Sequence, residues 1–290
     1  MNKDKTILKT LLLGSFFASL SAMLGGSTFV FTRYVVDSID PYTLSFLRYG
    51  LTGLILFLLS ISVYMNKKFA KADLIPMCFL GLAMITLFPN FMALGLEHTT
   101  AARAGLLYAT MPLCTIIIAY FFNIEKITLN KSLAVLLAIL GVSFCMSERV
   151  DNNFQDTLKG DFLMMIGVLS ASCFTVFSGK YLKKYGNIPV MIFVILIGTI
   201  LNLIISMIFG NSIISLLEIN KFEAAALLML IIPGGVVMMY CWGKALQLIS
   251  PTQAAISLGF NPLSAILLGS IILNEEITFK LGIGLSLIHI

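Results

Sequence analysis

Polar side chains are scarce in this sequence, and the few that interrupt its long apolar runs are the first candidates for chemistry. Amides, phenols, an indole and hydroxyls donate or accept hydrogen bonds, but none of them is by itself a strong acid, base or nucleophile. In an apolar run such a group needs a partner, which a wet cavity or a bound solute would supply. A small hydroxyl has an alternative, because it often bonds to its own helix. The residues concerned are Ser27, Thr28, Asn90, Tyr108, Thr175, Tyr240, Trp242 and Asn261.

Patterns for catalysis or metal binding are missing from the sequence. It contains no H-E-x-x-H or G-x-S-x-G motif and no pair of aspartates within an apolar run. Two histidines are too few for a histidine-rich metal site, and no two of the five cysteines form a C-x-x-C pair. A G-x-x-x-x-G-K-[ST] loop, which would indicate ATP-driven work, is also missing. We therefore predict no catalytic residue, no metal and no cofactor.

Arg48 is the one basic residue that falls inside an apolar run, roughly 10 Å along its helix. An arginine at that depth is costly unless it reaches the interface or finds partners. It is a candidate contact for the carboxylate of a solute, but we favour a structural role at the outer interface or at helix-end carbonyls. Every carboxylate falls at the end of a run or outside it, so proton coupling through a buried acid is disfavoured. Glu97, beside His98, is the remaining candidate for it.

Two glutamates and two prolines recur in matching places. Glu125 and Glu275 each lie where an apolar run meets water, and we expect them to accept backbone N–H bonds from the start of the following helix. This structural role is favoured over gating. Pro112 and Pro262 lie within apolar runs, where each removes a backbone hydrogen bond and favours a kink. Paired kinks suit a molecule that rocks between two conformations.

The elements that must position these side chains are membrane helices. Of the 290 residues, 59% are hydrophobic and 11% are charged, against about a quarter charged in soluble proteins. Lipid must therefore be the solvent for most of the surface, and the basic net charge follows membrane topology rather than nucleic-acid binding. Ten apolar spans are predicted: 10–33, 42–65, 74–95, 102–122, 131–147, 161–181, 188–210, 223–243, 252–273 and a shorter one from Phe279 to the chain end. Most lysines then lie on the side of the N-terminus, which places both termini in the cytoplasm.

Two motifs of the chain recur at a separation of 150 residues. Pro112-Leu113 matches Pro262-Leu263, and the five residues from Glu125 match the five from Glu275 in chemical type except at Lys126, which is replaced by Glu276. Each half has five spans, so the second half enters the membrane from the opposite side. We predict an all-α membrane protein of two inverted repeats, at residues 1–147 and 160–290, joined by a loop at 148–159. The tenth span is shorter than its counterpart, which indicates either a truncated chain or an unusually short last helix.

These motifs together resemble the ten-helix, EamA-type members of the drug/metabolite transporter superfamily. The resemblance rests on the small residues Gly25–Phe29, on Pro41 with Arg48, and on the repeated proline and glutamate pairs. The family's usual tryptophan before the glycine is replaced by Gly25. The resemblance implies alternating access around a cavity lined by spans 1, 3, 4, 6, 8 and 9, with spans 5 and 10 at the periphery. The polar residues named first lie in those six spans, so we predict that they line the cavity.

The functional prediction is a secondary transporter in the inner membrane of a bacterial-type cell. Its solute is a small organic metabolite, an amino acid or a similar zwitterionic or neutral molecule, moved by efflux or exchange. The predicted partners are this solute and the bilayer, and the sequence leaves open whether the chain works alone or as a homodimer. Two alternatives remain: an intramembrane enzyme, which would need reactive side chains gathered in the spans, and a non-transporting scaffold, which would need longer loops.

The topology can be tested by labelling. A cysteine introduced between residues 147 and 160, in a background without the native cysteines, is expected to react with a membrane-impermeant thiol reagent added outside intact cells. The physical reason is the odd number of spans that precede this loop. Reaction only from the cytoplasmic side of inverted vesicles would contradict the predicted orientation.

Overall fold

A computed structural model describes residues 2–125, 154–210 and 219–275 of the chain. Within these ranges the protein is helical, and eight helices are long and apolar enough to cross a membrane. They correspond to the predicted spans one to four and six to nine. The predicted fifth and tenth spans lie outside the described residues. The helices are α1 (Asn2–Val35), α2 (Pro41–Met65), α3 (Lys71–Leu96), α4 (Ala101–Phe121), α5 (Phe154–Tyr185), α6 (Asn187–Phe209), α7 (Lys221–Leu248) and α8 (Pro251–Ile272).

Side-chain caps fix where several helices begin. Asp40 accepts hydrogen bonds from the backbone N–H groups of Tyr42 and Thr43, at 3.1 and 3.0 Å. The next residue, Pro41, occupies the first helical position, where its missing N–H is not needed. At the start of α8, Ser250 and Gln253 form a reciprocal capping box. The connections can be short because the chain turns immediately at these caps.

Four of the helices are irregular near their middle. One wider π-helical turn interrupts α3 at Leu82–Leu87, and another interrupts α7 at Ile232–Val237. Both α4 and α8 break shortly before their prolines: α4 at a turn over residues 109–110, and α8 at the 3-10 turn Ser257–Gly259. The kinks predicted from Pro112 and Pro262 are therefore present as breaks that precede each proline. Irregular turns of this kind release carbonyl groups from the helical ladder.

Glycines allow the helix backbones to approach closely. A Cβ atom added at Gly26 of α1 would lie 2.2 Å from the backbone oxygen of Asn261 in α8. One added at Gly95 of α3 would lie 2.9 Å from the backbone oxygen of Gly160 in α5. In lipid, where apolar side chains gain little by leaving the solvent, such close contacts are a main source of helix association. The bundle core therefore depends on small residues as well as on large apolar ones.

A buried ion pair joins α4 to α5 near one end of the bundle. The guanidinium of Arg103 donates to the carboxylate of Asp161, with Nη2 to Oδ2 at 2.6 Å and Nε to Oδ2 at 2.9 Å. The two side chains are only 4% and 2% exposed. The hydroxyl of Thr99 also lies 3.4 Å from this carboxylate. The sequence analysis placed both charges at span ends and assigned no role to either residue.

Removing one partner of this pair is expected to destabilise the protein more than removing both. Asp161→Ala leaves the Arg103 charge buried without its carboxylate, and a loss of about 3–5 kcal/mol is typical of such a change. The double variant Arg103→Leu with Asp161→Leu removes both charges and should lose less. Thermal unfolding of the purified protein in detergent measures the difference. A double variant at least as unstable as the single one would contradict this expectation, because the loss of stability would then not come from the charge left behind on Arg103.

Candidate functional site

A narrow cavity lies in the middle of the bundle, between α1, α3, α4, α7 and α8. The space that water-sized spheres can occupy is about 20 Å³, roughly the room that one water molecule needs. All the residues around it are buried, so the cavity lies in the core of the bundle, although it is not completely enclosed. No side chain of α5, the predicted sixth span, contributes to it. It is lined by Ser21, Gly25, Thr28, Phe29, Met84, Phe88, Tyr108, Met238, Met239, Trp242, Leu258 and Asn261.

Aromatic rings and methionines form most of the cavity wall. The ring of Tyr108 lies between two phenylalanines, with ring centroids 5.4 Å from Phe29 and 5.3 Å from Phe88. Three methionines supply flexible thioether side chains that adapt to the shape of a guest: Met84, Met238 and Met239. No charged residue is among the described residues that line the cavity. The wall therefore suits the apolar part of a solute.

Two polar side chains in the cavity wall have unused hydrogen-bonding atoms. The indole N–H of Trp242 and both amide atoms of Asn261 are buried and have no hydrogen-bond partner within the described residues. Gly25 faces this amide, and a Cβ atom added there would lie 3.1 Å from Asn261 Oδ1. A buried polar group without a partner is costly. A bound solute could supply the missing partners, a donor and an acceptor for Asn261 and an acceptor for Trp242.

The predicted hydroxyls are mostly used within their own helix. Thr28 lines the cavity, but its hydroxyl donates to the Gly25 carbonyl at 2.7 Å. Ser27 does not line the cavity and donates to the Leu24 carbonyl at 2.6 Å. Thr175 of α5 is fully buried, and its hydroxyl has no hydrogen-bond partner within the described residues, yet it does not reach the cavity. Ser21, which the sequence analysis did not select, lines the cavity and bonds across to the Met238 carbonyl at 3.0 Å.

Asn90 lies away from the cavity and connects two helices instead. Its amide donates to the Thr86 carbonyl at 2.7 Å and to Asn202 Oδ1 of α6 at 2.9 Å. Asn202 in turn donates to the Ile85 carbonyl at 2.8 Å. These carbonyls belong to the π-helical turn of α3, so the two amides occupy groups that the irregular turn leaves free. The structure therefore gives Asn90 a structural contact.

Tyr240 also lies outside the cavity wall. Its side chain is 37% exposed and packs edge-to-face on Phe17, with ring centroids 6.2 Å apart. It lines a second, more open pocket near the end of α7. Of the eight residues predicted to line the cavity, the structure brings four together there: Thr28, Tyr108, Trp242 and Asn261.

Arg48 is buried and clamps α2 to α7. Its side chain is 2% exposed, and its Nη2 donates to the Gly234 carbonyl at 2.9 Å, within the π-helical turn of α7. Its guanidinium also lies 5.0 Å from the centroid of the Tyr49 ring. The sequence analysis favoured a structural role for this arginine, at the outer interface or at helix-end carbonyls. The structure places it instead at a carbonyl inside a helix, and outside the residues that line the cavity.

Glu125 and Glu275 each bind the start of a helix that is distant in the chain. Glu275 accepts from the N–H groups of Ala101 and Ala102, at 2.9 and 3.1 Å, at the start of α4. Glu125 accepts from the N–H and the hydroxyl of Thr252, at 3.3 and 2.6 Å, at the start of α8. Each glutamate therefore caps a helix of the other half of the chain. The helices that follow the two glutamates, where the sequence analysis expected a local contact, lie outside the described residues.

Glu97 lies just beyond the end of α3. Partial desolvation raises the pKa of its carboxyl, and the neighbouring His98 offsets part of this shift. It is not among the residues that line the cavity. Within the described residues, no group of three or more histidine, cysteine, aspartate or glutamate side chains could hold a metal ion.

The apolar helices, their tight packing and the buried central cavity define a multi-pass helical membrane protein. The chain matches the EamA-like transporter family over residues 12–147 and again over residues 158–290. It therefore belongs to this family, and it is a membrane transporter rather than an enzyme.

Relatives and a solved structure agree with this assignment. The "Uncharacterized transporter YoaV" of Bacillus subtilis is 24% identical, over 92% of this chain and 90% of its own. An "Uncharacterized transporter" of Archaeoglobus fulgidus is 27% identical, over 92% of this chain and 91% of its own. A solved structure described as "Crystal structure of protein" has a TM-score of 0.69 at 16% identity, over 97% of this chain and 93% of its own. At that identity the structural similarity concerns the fold alone.

The bond between Asn90 and Asn202 predicts a loss of stability for Asn90→Ala. This change leaves Asn202 Oδ1 without its donor, which should cost about 1–2 kcal/mol in unfolding free energy. Asn261→Ala removes an amide that has no partner and should cost little, so it serves as the matched control. Thermal unfolding in detergent measures both. Equal losses for the two variants would contradict the different roles assigned to the two asparagines.

Proposed function

We propose that this protein is a secondary transporter that moves a small zwitterionic or neutral organic metabolite by alternating access. The observation that carries the proposal is the buried cavity, without a charged residue among its described lining, in which Trp242 and Asn261 have unused hydrogen-bonding atoms. An amino acid or similar solute could offer an apolar part to the aromatic wall and polar groups to the amide and the indole. A free cation would meet no counter-charge among the described lining residues.

Alternating access requires a second conformation in which the cavity opens. The breaks in α4 and α8 and the π-helical turns in α3 and α7 lie in helices that line the cavity. Irregular turns are places where a helix can bend without losing many hydrogen bonds. They support a mechanism in which these helices bend to open one side of the cavity and then the other.

We also propose that the chain consists of two inverted repeats, each of five spans, with the predicted fifth and tenth spans included. Two findings support it beyond the sequence motifs. The two π-helical turns begin at Leu82 and Ile232, and the reciprocal caps come from Glu125 and Glu275, at the same separation of 150 residues. The family also matches the chain twice. Cavities of inverted-repeat transporters lie between the halves, near the centre of the bilayer.

The proposed location is the inner membrane, with both termini in the cytoplasm. Support comes from the distribution of basic residues. Lys67, Lys183, Lys184 and Lys244 gather around one pocket near the start of α3. Arg103, which is paired with Asp161, lies beyond the other end of that helix. An excess of lysines on one side is typical of the cytoplasmic face.

Transport should depend on the unused polar atoms of the cavity. Trp242→Phe removes the indole N–H while keeping an aromatic ring, and each lost hydrogen bond should weaken solute binding by about 2–10-fold. The double variant with Asn261→Ala should lose most uptake in proteoliposomes tested against a panel of amino acids and neutral metabolites.

The control is Ile271→Ala, a change on α8 at a side chain that is 74% exposed to lipid. It should leave uptake unchanged. Full uptake by the Trp242→Phe, Asn261→Ala double variant would overturn the assignment of the site, while the fold and the family would stand.

A further inference from the structure

A second pocket near the start of α3 is strongly basic. Four lysines line it, and they come from three separate parts of the chain: Lys67 after α2, Lys183 and Lys184 at the end of α5, and Lys244 in α7. The space that water-sized spheres can occupy in it is about 380 Å³, and the pocket is open on one side. A general excess of lysine on one membrane side explains why these residues share a side. It does not explain why they converge on one depression.

The positive charge of this pocket is only partly neutralised. Lys184 forms an ion pair with Asp73 at 2.6 Å, and this carboxylate also accepts from the Tyr185 hydroxyl. Lys244 donates to Gln247 Oε1 at 3.0 Å, and an amide carries no charge. Lys67 and Lys183 have no carboxylate within ion-pair distance among the described residues. Four ammonium groups therefore face one carboxylate, and the pocket has the electrostatics of an anion site.

The backbone adds to this positive potential. Helix α6 begins at Asn187, in the pocket wall, directly after Gly186, whose φ of 95° turns the chain sharply out of α5. The first turn of a helix has N–H groups without partners in the helix, and the helix dipole places partial positive charge there. An anion in this pocket would therefore meet lysine side chains and a helix start together.

One part of the pocket wall is apolar. Val63, Ile188 and Pro189 line it beside the lysines; Pro189 is buried, Ile188 is half-buried, and Val63 is 44% exposed on the surface of α2. Met65, at the end of the same helix as Val63, is 69% exposed. A ligand that fills this pocket therefore meets ammonium groups at one end and a lipid-facing helix surface at the other. A soluble anion would use only the first of these.

We propose that this pocket binds the phosphodiester headgroup of an anionic phospholipid. The lysines hold the phosphate, and the acyl chains lie along the exposed surface of α2. This site is independent of the proposed transport function. The basic pocket and the central cavity share helix α7, because Tyr240 lines the pocket and Trp242 lines the cavity. The Asn187 amide also donates to the Tyr240 carbonyl at 2.9 Å, which fixes α6 to α7 at this point.

Binding can be measured on the full chain purified in detergent. Native mass spectrometry with phosphatidylglycerol should show one lipid bound with higher affinity than the rest, and phosphatidylcholine should not show it. The double variant Lys67→Gln, Lys183→Gln should weaken that binding about 30-fold, since each lysine near a lipid phosphate contributes about fivefold. Its thermal unfolding without lipid should match that of the wild type, because both side chains lack a carboxylate partner among the described residues.

The matched control is Lys68→Gln with Lys180→Gln, which removes the same charge on the same side from residues that do not line the pocket. This variant should bind phosphatidylglycerol like the wild type. An equal loss in the control would mean that only the general charge of that face matters, and it would overturn the site. Equal binding of phosphatidylcholine would overturn it as well. Displacement of the lipid by millimolar inorganic phosphate would overturn the lipid assignment in favour of a soluble anion.

Discussion

The structure depends on one constraint, which is that backbone groups inside a bilayer have no water to bond with. A regular helix satisfies the constraint alone, but α3 and α7 each contain a wider turn that frees carbonyls. Side chains of neighbouring helices occupy these carbonyls: Asn202 bonds to Ile85, and Arg48 and Thr52 bond to Gly234 and Ile231. The irregular helices are therefore also the ones most tightly held by their neighbours. Residues of both irregular helices line the cavity, and side chains of neighbouring helices bond to carbonyls at these turns.

Buried side-chain atoms without a hydrogen-bond partner occur at several places in the described residues, and three of them lie in the cavity wall: the indole N–H of Trp242 and both amide atoms of Asn261. Asn90 and Asn261 are both buried asparagines in membrane helices, yet Asn90 donates two hydrogen bonds, whereas the side chain of Asn261 has none within the described residues. Buried polar atoms without partners are rare in native proteins. Beside a cavity, such atoms fit the proposed site, which its solute would complete. The cavity is small because its aromatic side chains close over it.

The sequence predicted the helices better than the site, and particular residues show why. Apolar runs of sufficient length define membrane spans without reference to neighbours, so spans one to four and six to nine are found where expected. The hydrogen-bond partner of a buried polar side chain cannot be predicted in this way, because Asn202, which bonds to Asn90, is 112 residues away in the chain. Most of the cavity wall consists of residues such as Met84 and Phe88, which no pattern separates from lipid-facing residues. The Arg103–Asp161 pair was missed for the same reason: each charge, taken alone, indicates only where a span ends and not which residue it pairs with.

The reciprocal caps of Glu125 and Glu275 bear on how the protein is made. The first half of the chain leaves the ribosome before the second, and at that stage the start of α8, to which Glu125 binds, has not been made. The partner of Glu125, Thr252, is synthesised 127 residues later. The start of α4 must likewise wait for Glu275. Insertion of the helices can proceed in order, but the joint between the halves closes only after Glu275 has been synthesised. Biogenesis therefore passes through a stage in which the first half is inserted in the membrane but the contacts of Glu125 and Glu275 with the other half have not formed.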